Sequence, residues 1–414
     1  MLDNSIKPIK RDVVDEILRY IETDNIIVLH GARQVGKTHI LYYLQRYLEA
    51  EGKKTYFFDL ENPVMKDVLD RGIDYFIKYL KSKSALTEDE IKKGRKLYVF
   101  IDEIQYLRSP SPFLKLMIDH HKYLRPVVSG SSSFDIKNKF TNSLVGRTVE
   151  FEIFGLSFQE FLRFKKAGNY DLSVSGSPGP LHDEIVEWYK EYVLYGGYPK
   201  IVLSEKIEEK ERFLYQIMNT YVQKDIHDLA KIKEVDKFNQ LVNLLAEQSG
   251  QLVNVADLSK ICALSKQTVR SYLFILENTY IIRLLPVWSN SAKVRVAKAP
   301  KIFFYDTGLL QILWMKKLNG ILAGNIFETS VFAELVKKYG RQEIYFWRTP
   351  TQTEVDFVTA KRGEIRPFEV KTNFNSFNKK AIISFCKKYK VKDYRVVGLR
   401  GEPRDEHFIY PWQV

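Results

Sequence analysis

The amino-acid sequence predicts an α/β protein. A parallel sheet covered by helices comes first, then a helical connector, a helix-turn-helix with a wing, and a C-terminal α/β segment. Three observations predict it. Apolar runs at 26–30, 55–59, 97–102, 126–130 and 148–154 alternate with amphipathic stretches, the pattern of parallel strands joined by covering helices. Helical spacing dominates 182–282, and short strands are expected over 283–305. Strand–helix alternation returns from about 325 to the end. With 414 residues the chain has room for two to four domains. We expect them at 1–170, 182–235, 236–305 and 306–414, with 173–180 the clearest loop.

The net charge of +13 points to an anionic partner, nucleic acid first, with a solubilising surface as the alternative. The two cysteines, Cys262 and Cys386, are too few for a disulfide framework or a metal site, which fits a reducing cytoplasm. The seven histidines are scattered, which argues against zinc. There is no signal-peptide pattern, and no apolar run approaches the ~18 residues of a membrane span.

The first strand, Ile26-Ile27-Val28-Leu29, runs into Gly31-Ala32-Arg33-Gln34-Val35-Gly36-Lys37-Thr38, followed by His39 and a helical run. This is the phosphate-binding pattern G-x-x-x-x-G-K-[ST]. Its glycines let backbone N–H groups wrap phosphates, Lys37 reaches the β/γ-phosphates, and the Thr38 hydroxyl holds Mg²⁺. The third strand, Leu97 to Ile101, ends in Asp102 and Glu103. Asp102 is the expected Mg²⁺ partner and Glu103 the residue that polarises the attacking water. The fourth strand ends in Ser129-Gly130-Ser131-Ser132-Ser133, where Ser131 or Ser132 would sense the γ-phosphate; a serine-rich turn is the alternative. Arg147 precedes the fifth strand. It is expected either to reach a neighbouring subunit's γ-phosphate or to pair with Glu150 or Glu152.

These residues resemble the archaeal and bacterial AAA-type ATPases in which a P-loop domain is fused to a C-terminal domain of unknown function. The P-loop, Phe100-Ile101-Asp102-Glu103-Ile104-Gln105, Gly130-Ser131-Ser132-Ser133 and Leu144-Val145-Gly146-Arg147 carry the likeness. Leu156-Ser157-Phe158-Gln159-Glu160-Phe161, Gly196-Gly197-Tyr198-Pro199, Lys298-Ala299-Pro300-Lys301 and Tyr305-Asp306-Thr307-Gly308-Leu309 extend it over nearly the whole chain. The resemblance implies ATP hydrolysis and a ring or other homo-oligomer. It fixes no biological role. The usual sensor is Asn, which leaves Ser132 as a departure.

Residues 252–285 read as a winged helix-turn-helix. Leu258, Ile261, Val269, Leu273 and Leu276 are expected inside, and Lys266, Gln267, Arg270 and Ser271 outside, on a helix that suits a major groove. Arg283, Lys293, Arg295, Lys298 and Lys301 follow without an acid, with Trp288 among them, as in a basic wing beside a stacking aromatic. A protein-binding module is the alternative.

The last segment carries Asp356 and, further on, Glu369-Val370-Lys371. Strand period two puts Asp356, Glu369 and Lys371 on one face, as in the PD-(D/E)XK nuclease pattern. The carboxylates would hold Mg²⁺ and Lys371 would orient water. Glu328 is the helix acid that best fits, with Glu334 nearby; a Glu369–Lys371 surface ion pair is the alternative. Asp225 has no assigned role.

Three functions remain open at this stage: an oligomeric ATPase acting on branched DNA such as Holliday junctions, an ATP-controlled nuclease, and a signal-transducing NTPase whose winged helix binds protein.

Overall fold

The computed structural model describes residues 8–85, 87–130, 144–168, 170, 172, 179–221, 234–318, 320 and 322–414. The chain forms two compact units, Met1–Phe154 and Gly155–Val414. Each is described separately.

The first unit is built on strands β1 (Ile26–Gly31), β2 (Lys54–Asp59), β3 (Leu97–Asp102), β4 (Leu124–Gly130) and β5 (Thr148–Ile153). All pair in parallel, in the order β2-β3-β4-β1-β5. Every residue of β1, β3 and β4 is buried, which is why these strands read as continuous apolar runs. The helix Lys37–Ala50 leaves β1 through the glycine loop and buries Ile40, Leu41, Leu44 and Leu48. A second layer, with Phe58, Phe76, Leu80, Phe113, Leu114 and Met117, closes the core.

The second unit opens with the helix Phe158–Lys165, held by a Ser157/Glu160 capping box. This segment was expected to close the first domain. It packs instead within the second unit, where Phe158 and Phe161 meet Tyr189 and Tyr192. The helix Thr307–Met315 is buried along seven consecutive residues, Thr307 to Leu313. Asp306 caps it, accepting from Leu309 N at 2.9 Å, and also accepts from Gly197 N at 2.7 Å. Gly196 (φ 82) must be glycine, because a Cβ there would meet the Asp306 carboxylate at 2.3 Å.

Helices Val255–Ile261 and Lys266–Asn278 follow one another through a short turn, where the sequence suggested a helix–turn–helix. Asn254 caps the first and Ser265 the second. Ala263, at φ 49, turns the chain between them. Leu258, Val269, Leu273 and Leu276 are buried as expected, but Ile261 is 54% exposed and Cys262 takes the inward place. Strands β6 (Ile282–Leu285) and β7 (Lys301–Phe304) then pair antiparallel. The span between them is not all strand: it holds the helix Ala292–Ala297.

The C-terminal sheet has the order β12-β11-β10-β9-β8, from β8 (Ile344–Arg348), β9 (Glu354–Lys361), β10 (Glu364–Asn373), β11 (Arg395–Arg400) and β12 (Phe408–Ile409). Helices Gly324–Tyr339 and Lys380–Tyr389 pack against it. The segment after β6 is tied to this sheet, for Val287 pairs with Phe346 and Trp288 N donates to Phe346 O at 2.5 Å.

Candidate functional site

The candidate nucleotide site assembles at the C-terminal ends of β1, β3 and β4. Gly31 must be glycine, since a Cβ would lie 2.0 Å from Ile153 O on the paired strand β5. Gln34 (φ 61) and Gly36 (φ 96) turn the loop so that the helix Lys37–Ala50 starts directly after it. Lys37 is buried, and its Nζ donates to Gly31 O at 3.1 Å and Ala32 O at 2.8 Å. The ammonium thus spans the loop through carbonyls it can release to a stronger acceptor. Arg11, which the sequence reading missed, braces the loop from outside. It donates to Val35 O at 2.9 Å and Phe154 O at 3.0 Å.

Thr38 Oγ1 donates to Asp102 Oδ2 at 2.7 Å. Ser129 Oγ donates to Asp102 Oδ1 and accepts from Glu103 N at 3.2 Å. Burial pushes the Asp102 carboxyl above the usual carboxylate range, against the pull of the Ser129 and Thr38 hydrogen bonds. A hydroxyl and a carboxylate oxygen side by side are the hard donors Mg²⁺ takes, and a cation there would hold Asp102 ionised. Glu103 sits in the left-handed region (φ 55), and its carboxylate accepts from Gln105 Nε2. Ser129, on β4 two residues before the first expected sensor, is the strand hydroxyl that contacts Asp102 and Glu103. Ser131, Ser132 and Ser133 lie outside the described residues, as does Asp225. Arg147 pairs with Asp119 at 3.1 Å. Glu150 lies 3.5 Å from His30.

On the helix–turn–helix, Lys266, Gln267 and Arg270 are exposed on the outer face of the second helix, as is Lys293 on the short helix beyond β6. Three wing expectations fail. Arg283 pairs with Glu277 at 2.6 Å, and Lys301 is buried against Glu354 at 2.5 Å. Trp288, half-buried, meets Tyr345 edge-to-face, with ring centroids 5.1 Å apart, rather than standing free as a stacking platform. The hairpin's attachment to β8 turns that ring toward the sheet.

In the C-terminal sheet, Phe368 sits opposite Phe357, which sets Glu369 beside Asp356. Lys371 Nζ lies between them, 2.9 Å from Glu369 Oε1 and 3.4 Å from Asp356 Oδ2. Glu328 reaches the same charges from its helix, and Lys301 and Glu354 join as members the sequence reading missed. Only the pairing of β7 with the chain entering the helix–turn–helix reveals Lys301. Glu334 is elsewhere, accepting from Lys337 at 2.8 Å. Burial, then Asp356, pushes Glu369 up to about 7 and Glu328 up to about 8. Burial works against the Lys371 charge, but Asp356 and Glu369 outweigh it and hold the ammonium above its usual range. Glu369 Oε2 is buried without a hydrogen-bond partner. Among the described residues no three acids or histidines are already arranged as a metal cage.

Residues 23–162 match the model of a family described as an AAA domain. Residues 186–320 match one domain of unknown function and 323–412 another. An uncharacterized protein of Haemophilus influenzae is 27% identical over 86% of this chain and 84% of its own length. One of Methanocaldococcus jannaschii is 27% identical over 85% of this chain and 75% of its own. Among solved structures, AMPPCP-bound DnaA from Aquifex aeolicus aligns with 64% of this chain and 86% of its own at 17% identity, with a TM-score of 0.29. Among the described residues no helix is long and apolar enough to cross a membrane.

Proposed function

We propose that this chain, built on an AAA-type P-loop domain, is a Mg²⁺-dependent ATPase that self-associates, binds DNA and acts on branched forms such as Holliday junctions. One observation carries the ATPase reading: Thr38 and Ser129 each donate a hydrogen bond to Asp102, and Lys37 is buried within the glycine loop. Lys37 would exchange loop carbonyls for phosphate oxygens. Mg²⁺ held at Thr38 and Asp102 would neutralise charge on the phosphates. Glu103, steered by Gln105, would orient the water. The exposed Lys266, Gln267 and Arg270 support the DNA reading, because they stand on the outer face of the second helix of a helix–turn–helix. Arg147 would complete a neighbour's site only by leaving Asp119.

The test is ATP turnover together with gel shifts on duplex, single-stranded, forked and four-way DNA, with and without ATP and Mg²⁺. Mg²⁺-dependent hydrolysis and a shift of branched DNA are expected. A chain that hydrolyses nothing, or shifts no DNA at low salt, refutes the corresponding half. The second outcome would favour the protein-binding switch.

A second reading, ATP-controlled DNA cleavage, is favoured by Lys371 set between Asp356 and Glu369 with one carboxylate oxygen left unpartnered. It requires Mg²⁺-dependent cleavage that Asp356→Ala abolishes. Absence of cleavage of every DNA form by the wild type removes it.

A further inference from the structure

From Asn278 to Tyr305 the chain carries Arg283, Lys293, Arg295, Lys298 and Lys301 and no acid. Arg283 and Lys301 are used in internal ion pairs. The other three stand on or next to the helix Ala292–Ala297. Arg295 Nη1 donates to Ser289 O at 2.7 Å and Lys298 Nζ to Arg348 O at 3.5 Å. Both acceptors are neutral carbonyls, so these contacts hold the helix in place, and among the described residues no carboxylate pairs with its cations. Between the cations the surface is apolar. Val296 is 88% exposed and Val294 36%, and Ala292, Ala297 and Ala299 are exposed too. The strip continues into the helix–turn–helix: Ala299 lines a groove of about 410 Å³ with Asn254, Lys266 and Arg270.

Charge of this density fits a polyanion. The apolar strip within it fits a polyanion that offers flat apolar faces, which is nucleic acid with bases open to contact. We propose that residues 292–299 are a wedge for DNA whose bases are unpaired or readily unstacked. Val296 enters against the bases, Lys293, Arg295 and Lys298 meet the flanking phosphates, and the Lys266–Arg270 groove seats a further phosphate of the same molecule. The inference rests on the DNA-binding reading above and gives it a reason for choosing branched DNA. Driving an apolar side chain into continuous duplex costs the stacking of a base step, and a branch point has already lost that stacking.

The test uses the full chain without ATP and DNA carrying 2-aminopurine at the branch of a fork, beside a matched duplex. Wild type is expected to bind the fork on the order of tenfold more tightly than the duplex, with a rise in 2-aminopurine fluorescence. Val296→Ser and Val294→Ser, both at exposed positions, should erase that preference and the fluorescence rise while duplex affinity stays put. Val296→Leu should keep both. Lys266→Ala with Arg270→Ala should weaken fork and duplex alike. Unchanged fork preference in Val296→Ser overturns the wedge and leaves the DNA reading standing. Wild type that binds neither DNA, or instead sediments with mixed phosphatidylcholine–phosphatidylserine vesicles, overturns both.

Discussion

Replacing Asp102 by Asn should separate what this residue does for the fold from what it does for nucleotide. Asp102 is 5% exposed and accepts from Thr38 and Ser129, and burial already raises its carboxyl. Asn has the same shape. Its oxygen can still accept from Thr38, and its amide can donate to Ser129 Oγ once that hydroxyl turns. One buried charge disappears as well. Stability without ligand should therefore change by less than about 1 kcal/mol. Ligand tells the other half. At a hundredfold excess over Kd, Mg·ATP should stabilise the wild type by about 2.7 kcal/mol. Asp102→Asn should lose the Mg²⁺-dependent part of that gain, and turnover should fall by on the order of 10²–10³. Thermal unfolding with ATP plus Mg²⁺, compared with ATP plus chelator, reads the first effect, and phosphate release reads the second. If Asp102→Asn hydrolysed ATP like the wild type and responded equally to Mg²⁺, Asp102 would not be the metal-side carboxylate and the reasoning would fail.

Other expectations are as direct. Lys37→Ala should cut turnover by at least about 10² while leaving duplex affinity within error, measured by phosphate release and fluorescence anisotropy. Asp306→Ala orphans Gly197 N and Leu309 N and should destabilise the second unit by about 3 kcal/mol in urea titrations, with Asp306→Asn losing less. Glu369 is held at about 7, above the ~4.3 of an unfolded chain, so the folded state binds the extra proton between those values. Its contribution is intact below the unfolded value and is lost as pH rises through about 7. Glu369→Gln should accordingly raise the melting temperature more at about pH 8 than at about pH 5.

The convergence of the candidate nucleotide-site residues was legible because its parts are local. Gly31 to Thr38 and Asp102-Glu103 each sit at the end of an apolar strand, and parallel pairing does the rest. β4 begins two residues before the apolar run suggested, at Leu124 opposite Leu97. What escaped the sequence depends on distant partners. Arg11 reaches Val35, and Arg147 meets Asp119 across 28 residues of chain. Ile261 lies outward and Cys262 inward because helical spacing names a face, while the turn at Ala263 decides which residue at the helix end rotates inward. Trp288 and Lys301 looked like surface in a basic run. The pairing of Val287 with Phe346 and of Leu252 with Lys301 folds both inward, and no local pattern announces a pairing of that range.

Strand β7 has a consequence for spacing. Leu252, at the entry to the helix–turn–helix, pairs with Lys301, whose ammonium lies against Glu354 beside Asp356. One short strand thus joins the helices proposed to grip DNA to the carboxylates of the C-terminal sheet. Were those carboxylates to cut, this strand would act as a ruler: the break would fall at a constant number of nucleotides from the gripped point, whatever the sequence between them.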